Sequence, residues 1–169
     1  MARSIIWTVV FSTIAVILQS TVLESIEILR VVPDIALCVL VFSAYVNGTM
    51  TGQVSGFFSG LFFDFISAAP LGLNCVYRTI IGALAGLFKG ALFLDYFFMP
   101  VILCSLATII KALMKFLLNL TLNLSIEVYS ITSSTFWIEL GYNAICAPLI
   151  FLLLKHFKPI LIGRSLNNA

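Results

Sequence analysis

Between Asn47 and Leu73, glycine recurs at every fourth position, at Gly48, Gly52, Gly56 and Gly60, and the next step of the series lands on Asp64. Positions four apart on a helix lie nearly above one another, so the series draws a groove without side chains that ends in a carboxylate. Pro70 and Gly72 then turn the chain, and a second ridge follows at Gly82, Gly86 and Gly90. Each helical glycine costs roughly 1 kcal/mol relative to alanine, so such a run needs a compensating contact. Lipid supplies the setting: apolar side chains gain little by leaving acyl chains, and packing favours small residues that let backbones approach. The pattern predicts a tight antiparallel hairpin. Gly52, Gly56, Gly60, Gly82 and Gly86 are its packing positions, and the same face is open to partner helices.

Composition requires that lipid setting. The chain is 62% hydrophobic and 9% charged, where soluble domains are about half apolar and about a quarter charged. Its 169 residues suit one all-α integral membrane domain, 1–169, with short connections. Six spans are expected, at about 5–22, 33–46, 50–67, 72–88, 99–118 and 135–154. Pro33-Asp34 is placed at the start of the second, with proline at the first helical position. That span is short for the hydrocarbon layer, so either the bilayer is pinched or its turn dips inward under neighbouring helices. The apolar run after Arg3 is followed by no small-residue cleavage site, so it reads as an uncleaved first span.

Charge along the chain sets an orientation. With both termini inside, Arg3, Lys89, Lys155, Lys158 and Arg164 are cytoplasmic, and only Arg30 lies in an outer loop. That asymmetry follows the positive-inside rule. The basic tail from Lys155 is expected at the membrane surface, where it meets anionic lipid or a cytoplasmic partner. A net charge of +2 with no basic patch gives no nucleic-acid partner.

Ionisable residues inside spans are costly and generally face the bundle interior in pairs. Asp64 and Arg78 stand at equal distances either side of Leu71 in the hairpin turn, which predicts that they share a depth and pair. Such a pair fixes register or contributes to a ligand site; both roles stay open. Lys115 and Glu139 are similarly symmetric about Glu127, in the polar Asn119–Ser134 connection, and Lys111 shares a helix face with Lys115. Asn143 is the nearest polar candidate for Lys111. Asp64, Arg78, Lys111, Lys115 and Glu139 are thus the candidate buried polar set.

No catalytic, cofactor or metal site is expected. His156, the only histidine, lies in the basic end away from any acid pair or thiol. An intramembrane aspartyl protease needs two aspartates at one depth, whereas Asp95 falls on the side opposite Asp64. Cys38, Cys75, Cys104 and Cys146 sit singly in apolar runs and read as small fillers. No GxSxG, HExxH or P-loop pattern occurs.

Pro33-Asp34-Ile35, the glycine-rich run from Gly52 to Asp64 and Pro70-Leu71-Gly72-Leu73 together resemble the rod shape-determining protein MreD family. The motifs lie within residues 33–90. One departure concerns the turn at Tyr45-Val46-Asn47-Gly48, where the resemblance leads one to expect a basic residue. The resemblance implies a non-enzymatic subunit of the bacterial elongation machinery in the cytoplasmic membrane. There it acts beside MreC, the MreB filament, RodA and its transpeptidase partner in lateral peptidoglycan synthesis and cell shape; a homo-oligomer is also open. It also implies a fold like the substrate-binding subunits of vitamin (ECF-type) transporters, which is the alternative function. Those subunits dock through small residues on the first span, where this chain offers Thr8 and Ser12. An intramembrane hydrolase is a third reading.

Overall fold

The computed structural model describes residues 2–21, 31–67, 70–90, 97–122 and 133–161. Over these the regular structure is helical: α1 (Ala2–Thr21), α2 (Ile35–Asn47), α3 (Thr49–Ile66), α4 (Leu73–Leu87), α5 (Phe98–Leu122), α6 (Ser134–His156) and the short α7 (Lys158–Leu161). Three helices, α1, α5 and α6, are long and apolar enough to cross a membrane, and α2 and α4 are shorter apolar helices. The segment around Glu24–Arg30, Asp95-Tyr96, Glu127 and Arg164 fall outside the described residues.

The bundle is organised around α2. Every residue from Ala36 to Ala44 is buried, as expected for a helix apolar on all sides. Its 13 residues span about 20 Å, short of the ~30 Å hydrocarbon layer. The neighbours cover both of its ends. Asp34 is the N-cap and is buried. Pro33 therefore precedes the cap rather than opening the helix, and its carbonyl accepts from Gln19 Nε2 at 2.8 Å. At the other end the Asn47 amide donates to the Leu161 carbonyl at 3.0 Å, and Lys89 Nζ donates to the Asn47 carbonyl at 2.9 Å. Lys89 thus brings a positive charge from the end of α4 to the turn where the sequence carries none.

The α3–α4 hairpin is a contact of backbone on backbone. A methyl built on Gly52 would run into the Gly82 carbonyl, and one on Gly56 into the Arg78 carbonyl. At Gly60 it would lie 2.5 Å from the Cys75 Cα, and at Gly86 2.5 Å from the Thr49 Cα. These five glycines are buried in the seam; Gly52 and Gly82 face each other, and Gly56, Gly60 and Gly86 each face the backbone of the opposite helix of the hairpin. The seam lies inside the chain, which corrects the expectation that the face is open to partner helices. Two glycines of the series sit at turns: Gly48 links α2 to α3 at φ +98°, and Gly90 follows α4 at φ +72°. Both conformations are ones that L side chains rarely adopt.

What faces outward is bulkier. Along α3, Phe57, Phe58, Phe62 and Phe65 are exposed, as are Trp7, Ile14 and Leu18 on α1 and Leu149, Leu152 and Leu153 on α6. In water such apolar exposure would drive aggregation, and in a bilayer it is the solvated surface. The small residues of α1 point the other way. Ser4, Thr8 and Ser12 are buried, and the Thr8 hydroxyl meets that of Ser43 on α2.

Candidate functional site: a buried ionic cluster

The site begins with Asp34. Proline at 33 favours an extended start, and the carboxylate behind it caps α2 by accepting the Leu37 N–H at 3.0 Å. The same oxygen, Oδ1, accepts Arg78 Nη2 from α4 at 3.2 Å. Oδ2 accepts Lys111 Nζ from α5 at 2.6 Å, and Lys111 reaches Glu139 Oε1 on α6 at 2.6 Å. Asn143, one turn along α6 from Glu139, accepts the Asp34 N–H at 2.8 Å and donates to Thr108 on α5 at 2.9 Å. Asp34 therefore joins α2, α4 and α5 through its carboxylate, and α6 through its backbone N–H and through Lys111.

The cluster is deeply enclosed. Relative exposure is 0% for Arg78, 4% for Asp34, 4% for Glu139 and 8% for Lys111. Each ion brought there loses several kcal/mol of hydration, which only close pairing with further hydrogen bonds offsets. The guanidinium carbon of Arg78 also lies 4.6 Å from the centre of the Phe63 ring, where the ring quadrupole favours a cation. Arg78 Nε and Nη1 have no hydrogen-bond partner among the described residues.

Asp64 forms a second, separate site. Its two oxygens accept the backbone N–H groups of Gly72 at 2.9 Å, Asn74 at 2.9 Å and Cys75 at 3.1 Å. The Asn74 amide adds a fourth bond at 2.8 Å. These are the otherwise unpaired donors of the α4 N-terminus, whose dipole also favours a negative group. The cap residue of α4 is Gly72, which has no side chain. The neighbouring helix supplies the acceptor instead.

The predicted Asp64–Arg78 pair is therefore corrected, and the reason is register. Contacts across the seam set Gly52 beside Gly82, Gly56 beside Arg78 and Gly60 beside Asn74 and Cys75. The hairpin is centred near residue 67 rather than at Leu71. Arg78 lies level with Gly56, two helical turns from Asp64, and meets Asp34 there. Between α5 and α6, Glu139 meets Lys111, one turn deeper than Lys115. Lys115 is half-buried and lines a cavity together with Lys111 and Glu139.

The sequence places Asp34 at a helix start, and only the packed bundle makes it the hub. A signal was present. Two cations inside spans need carboxylates, and Asp64 at the end of a helix preceding a Gly-capped turn is already in demand as a cap. Among the described residues no group of histidine, cysteine and carboxylate side chains could hold a metal ion. The four cysteines are free thiols, three of them buried.

A bundle that turns Asp34, Arg78, Lys111 and Glu139 inward and whose outer faces are aliphatic and aromatic is an integral membrane protein. The family described as rod shape-determining protein MreD matches residues 1–157, and the chain belongs to that family. It is accordingly a rod shape-determining protein of the bacterial inner membrane. No curated protein and no solved structure matches the chain.

Proposed function

We propose that this chain is a non-enzymatic subunit of the cell-elongation complex. On this reading it supports lateral peptidoglycan synthesis by packing against an MreC-like bitopic protein and other membrane partners. The family match carries the proposal. The chemistry of the site supports it: Asp34, Arg78, Lys111 and Glu139 bind helix to helix, and Asp64 holds α4. An intramembrane hydrolase would instead need an acid pair directed at a substrate.

The reading includes a single polytopic domain that crosses the membrane six times with both termini in the cytosol. The short α2 and the glycine-rich α3 complete the crossings beside α1, α4, α5 and α6. Since the glycine seam is internal, partner helices would meet the outward apolar faces. A vitamin-transporter subunit would dock its coupling partner through small residues on α1. Ser4, Thr8 and Ser12 are buried inside this bundle, which favours the elongation reading.

Depletion of the chain in its own host, with co-purification from mild detergent, tests the proposal. Loss of rod shape and recovery of an MreC-like protein are expected. Normal rods after depletion, or stabilisation of the purified chain by a vitamin with no bitopic partner recovered, would sink it.

A further inference from the structure

A cavity of about 220 Å³ stands toward the end of the bundle where α1, α3 and α5 finish and α2, α4 and α6 begin. Each helix from α1 to α6, with α2 represented by its cap, gives it a wall residue: Gln19, Asp34, Phe63, Tyr77, Lys115 and Glu139. Asp34, Tyr77 and Glu139 are buried in its inner wall, whereas Gln19, Phe63 and Lys115 are half-buried at its mouth. The cavity therefore opens outward instead of being sealed in the core. In a bilayer that end of the bundle lies toward the level of the lipid head groups. Apolar cavities of comparable size stay dry, but a polar one takes in water or a ligand with matching groups. Drug-sized ligands occupy roughly 300–1,000 Å³, so this cavity takes a smaller group.

The wall carries both signs side by side. Lys111 Nζ, also on the wall, lies 2.6 Å from Asp34 Oδ2 and 2.6 Å from Glu139 Oε1, and Lys115 follows one turn along α5. An anion is repelled there by Asp34 and Glu139, and a cation by Lys111 and Lys115. A group that carries both signs is attracted on each side. Its contacts add to those the wall already makes and replace none. An ammonium has three N–H donors and a carboxylate several lone pairs, and Lys111 already serves two carboxylates at once. Glu139 calls for an N–H donor and Lys115 for an acceptor. Charge-assisted bonds of this kind are about twice as strong as neutral ones, so an ammonium and an oxyanion outcompete water.

We infer that this cavity receives a small zwitterionic group, a primary ammonium and an oxyanion a few atoms apart, with the ammonium on Glu139 and the oxyanion toward Lys115. Two sources carry that chemistry: the phosphoethanolamine head group of a membrane lipid and a free α-amino acid. A phosphocholine head group does not qualify, because its quaternary ammonium has no N–H to give Glu139. The site is independent of the elongation-complex reading, so either can fail without the other.

The test uses the full chain purified in detergent and in nanodiscs. Phosphatidylethanolamine is compared with phosphatidylglycerol, which lacks the ammonium, and with phosphatidylcholine. Alanine is compared with its two halves, propionate and ethylamine. Native mass spectrometry reads retained lipid, and thermal melting reads saturable stabilisation. Retention of phosphatidylethanolamine over both other lipids identifies the lipid source; a saturable shift with alanine and with neither half identifies the solute. Val32, half-buried on the cavity wall, is the place to obstruct it. Val32→Trp is expected to weaken binding roughly tenfold or more, as a lost charge-assisted contact would. Glu139→Gln keeps the shape of the wall and removes its negative charge, so the preference for phosphatidylethanolamine over phosphatidylglycerol, or for alanine over propionate, is expected to disappear. Wild-type protein that binds none of these probes, or binds phosphatidylglycerol or propionate as well as the zwitterion, overturns the inference whatever the variants do. Binding that a folded Val32→Trp protein retains in full overturns it as well.

Discussion

Gly60→Ala offers the sharpest test of the hairpin, because the substitution adds one methyl and improves helix propensity. On an exposed helix the change gains about 1 kcal/mol. Here the new Cβ would lie 2.5 Å from the Cys75 Cα and 2.7 Å from the Asn74 carbonyl oxygen. Unbonded carbons rest at about 3.5–4.0 Å, so α3 and α4 must part by about 1 Å at this level. Neither obstacle is a flexible side chain that can swing aside. Overpacking costs about 1–3 kcal/mol when side chains can adjust, and a backbone-to-backbone clash belongs at or above the upper end. Separation also loosens contacts along the seam and draws Asp64 away from the α4 N-terminus. A net loss of about 2 kcal/mol is expected. The control is Gly141→Ala on α6, where a methyl meets nothing within 4 Å. That variant is expected to gain up to about 1 kcal/mol. Reversible unfolding in mixed micelles, followed by circular dichroism over a titration of denaturing detergent, measures both. If the two variants shift in the same direction by similar amounts, the close-packed hairpin is wrong.

Asp34→Ala strands Arg78 and Lys111 in the interior and is expected to cost about 3–5 kcal/mol in the same assay, the range for breaking one partner out of a buried pair. An Asp34→Ala protein within 1 kcal/mol of wild type would remove Asp34 as the hub. Asp64→Ala takes the acceptor from three backbone donors and is expected to cost about 2 kcal/mol, at the top of the range for helix caps. Amide exchange should rise at Asn74 and Cys75, and unchanged protection there would refute the cap. Lys89→Met loses an exposed bond to the Asn47 carbonyl, so less than about 1 kcal/mol is expected. Its signature is faster proteolysis at the α2–α3 turn with the rest of the bundle intact.

The cluster and the seam serve one mechanical end. Charges locked between α2, α4, α5 and α6 and glycines locked between α3 and α4 hold the bundle in one arrangement. That leaves the outer surface to lipid and to neighbouring membrane proteins. A rigid bundle with an apolar surface is what a shape-determining membrane protein of this family would bring to a complex.

Local pattern was enough for the elements. Apolar runs, glycines every fourth residue and the punctuation at Pro33, Asn47-Gly48, Pro70-Gly72 and Pro100 placed α2 to α6 within a few residues of their observed ends. Identification as a membrane protein and the resemblance to the family were likewise present in the chain, since lipid solvation acts on composition and motif order acts on local geometry. Pairing was not. Which cation meets which carboxylate depends on helix register, and register follows from where backbones can touch. Symmetry about Leu71 set Asp64 against Arg78; contact at Gly52–Gly82 and Gly56–Arg78 moved the centre by a full turn and delivered Arg78 to Asp34. On α5 and α6, Glu139 meets Lys111, and Lys115 lines the cavity beside them. A helix turn is only about 5.4 Å, yet for ion pairs that distance separates a bond from no bond, and only the packed structure decides it.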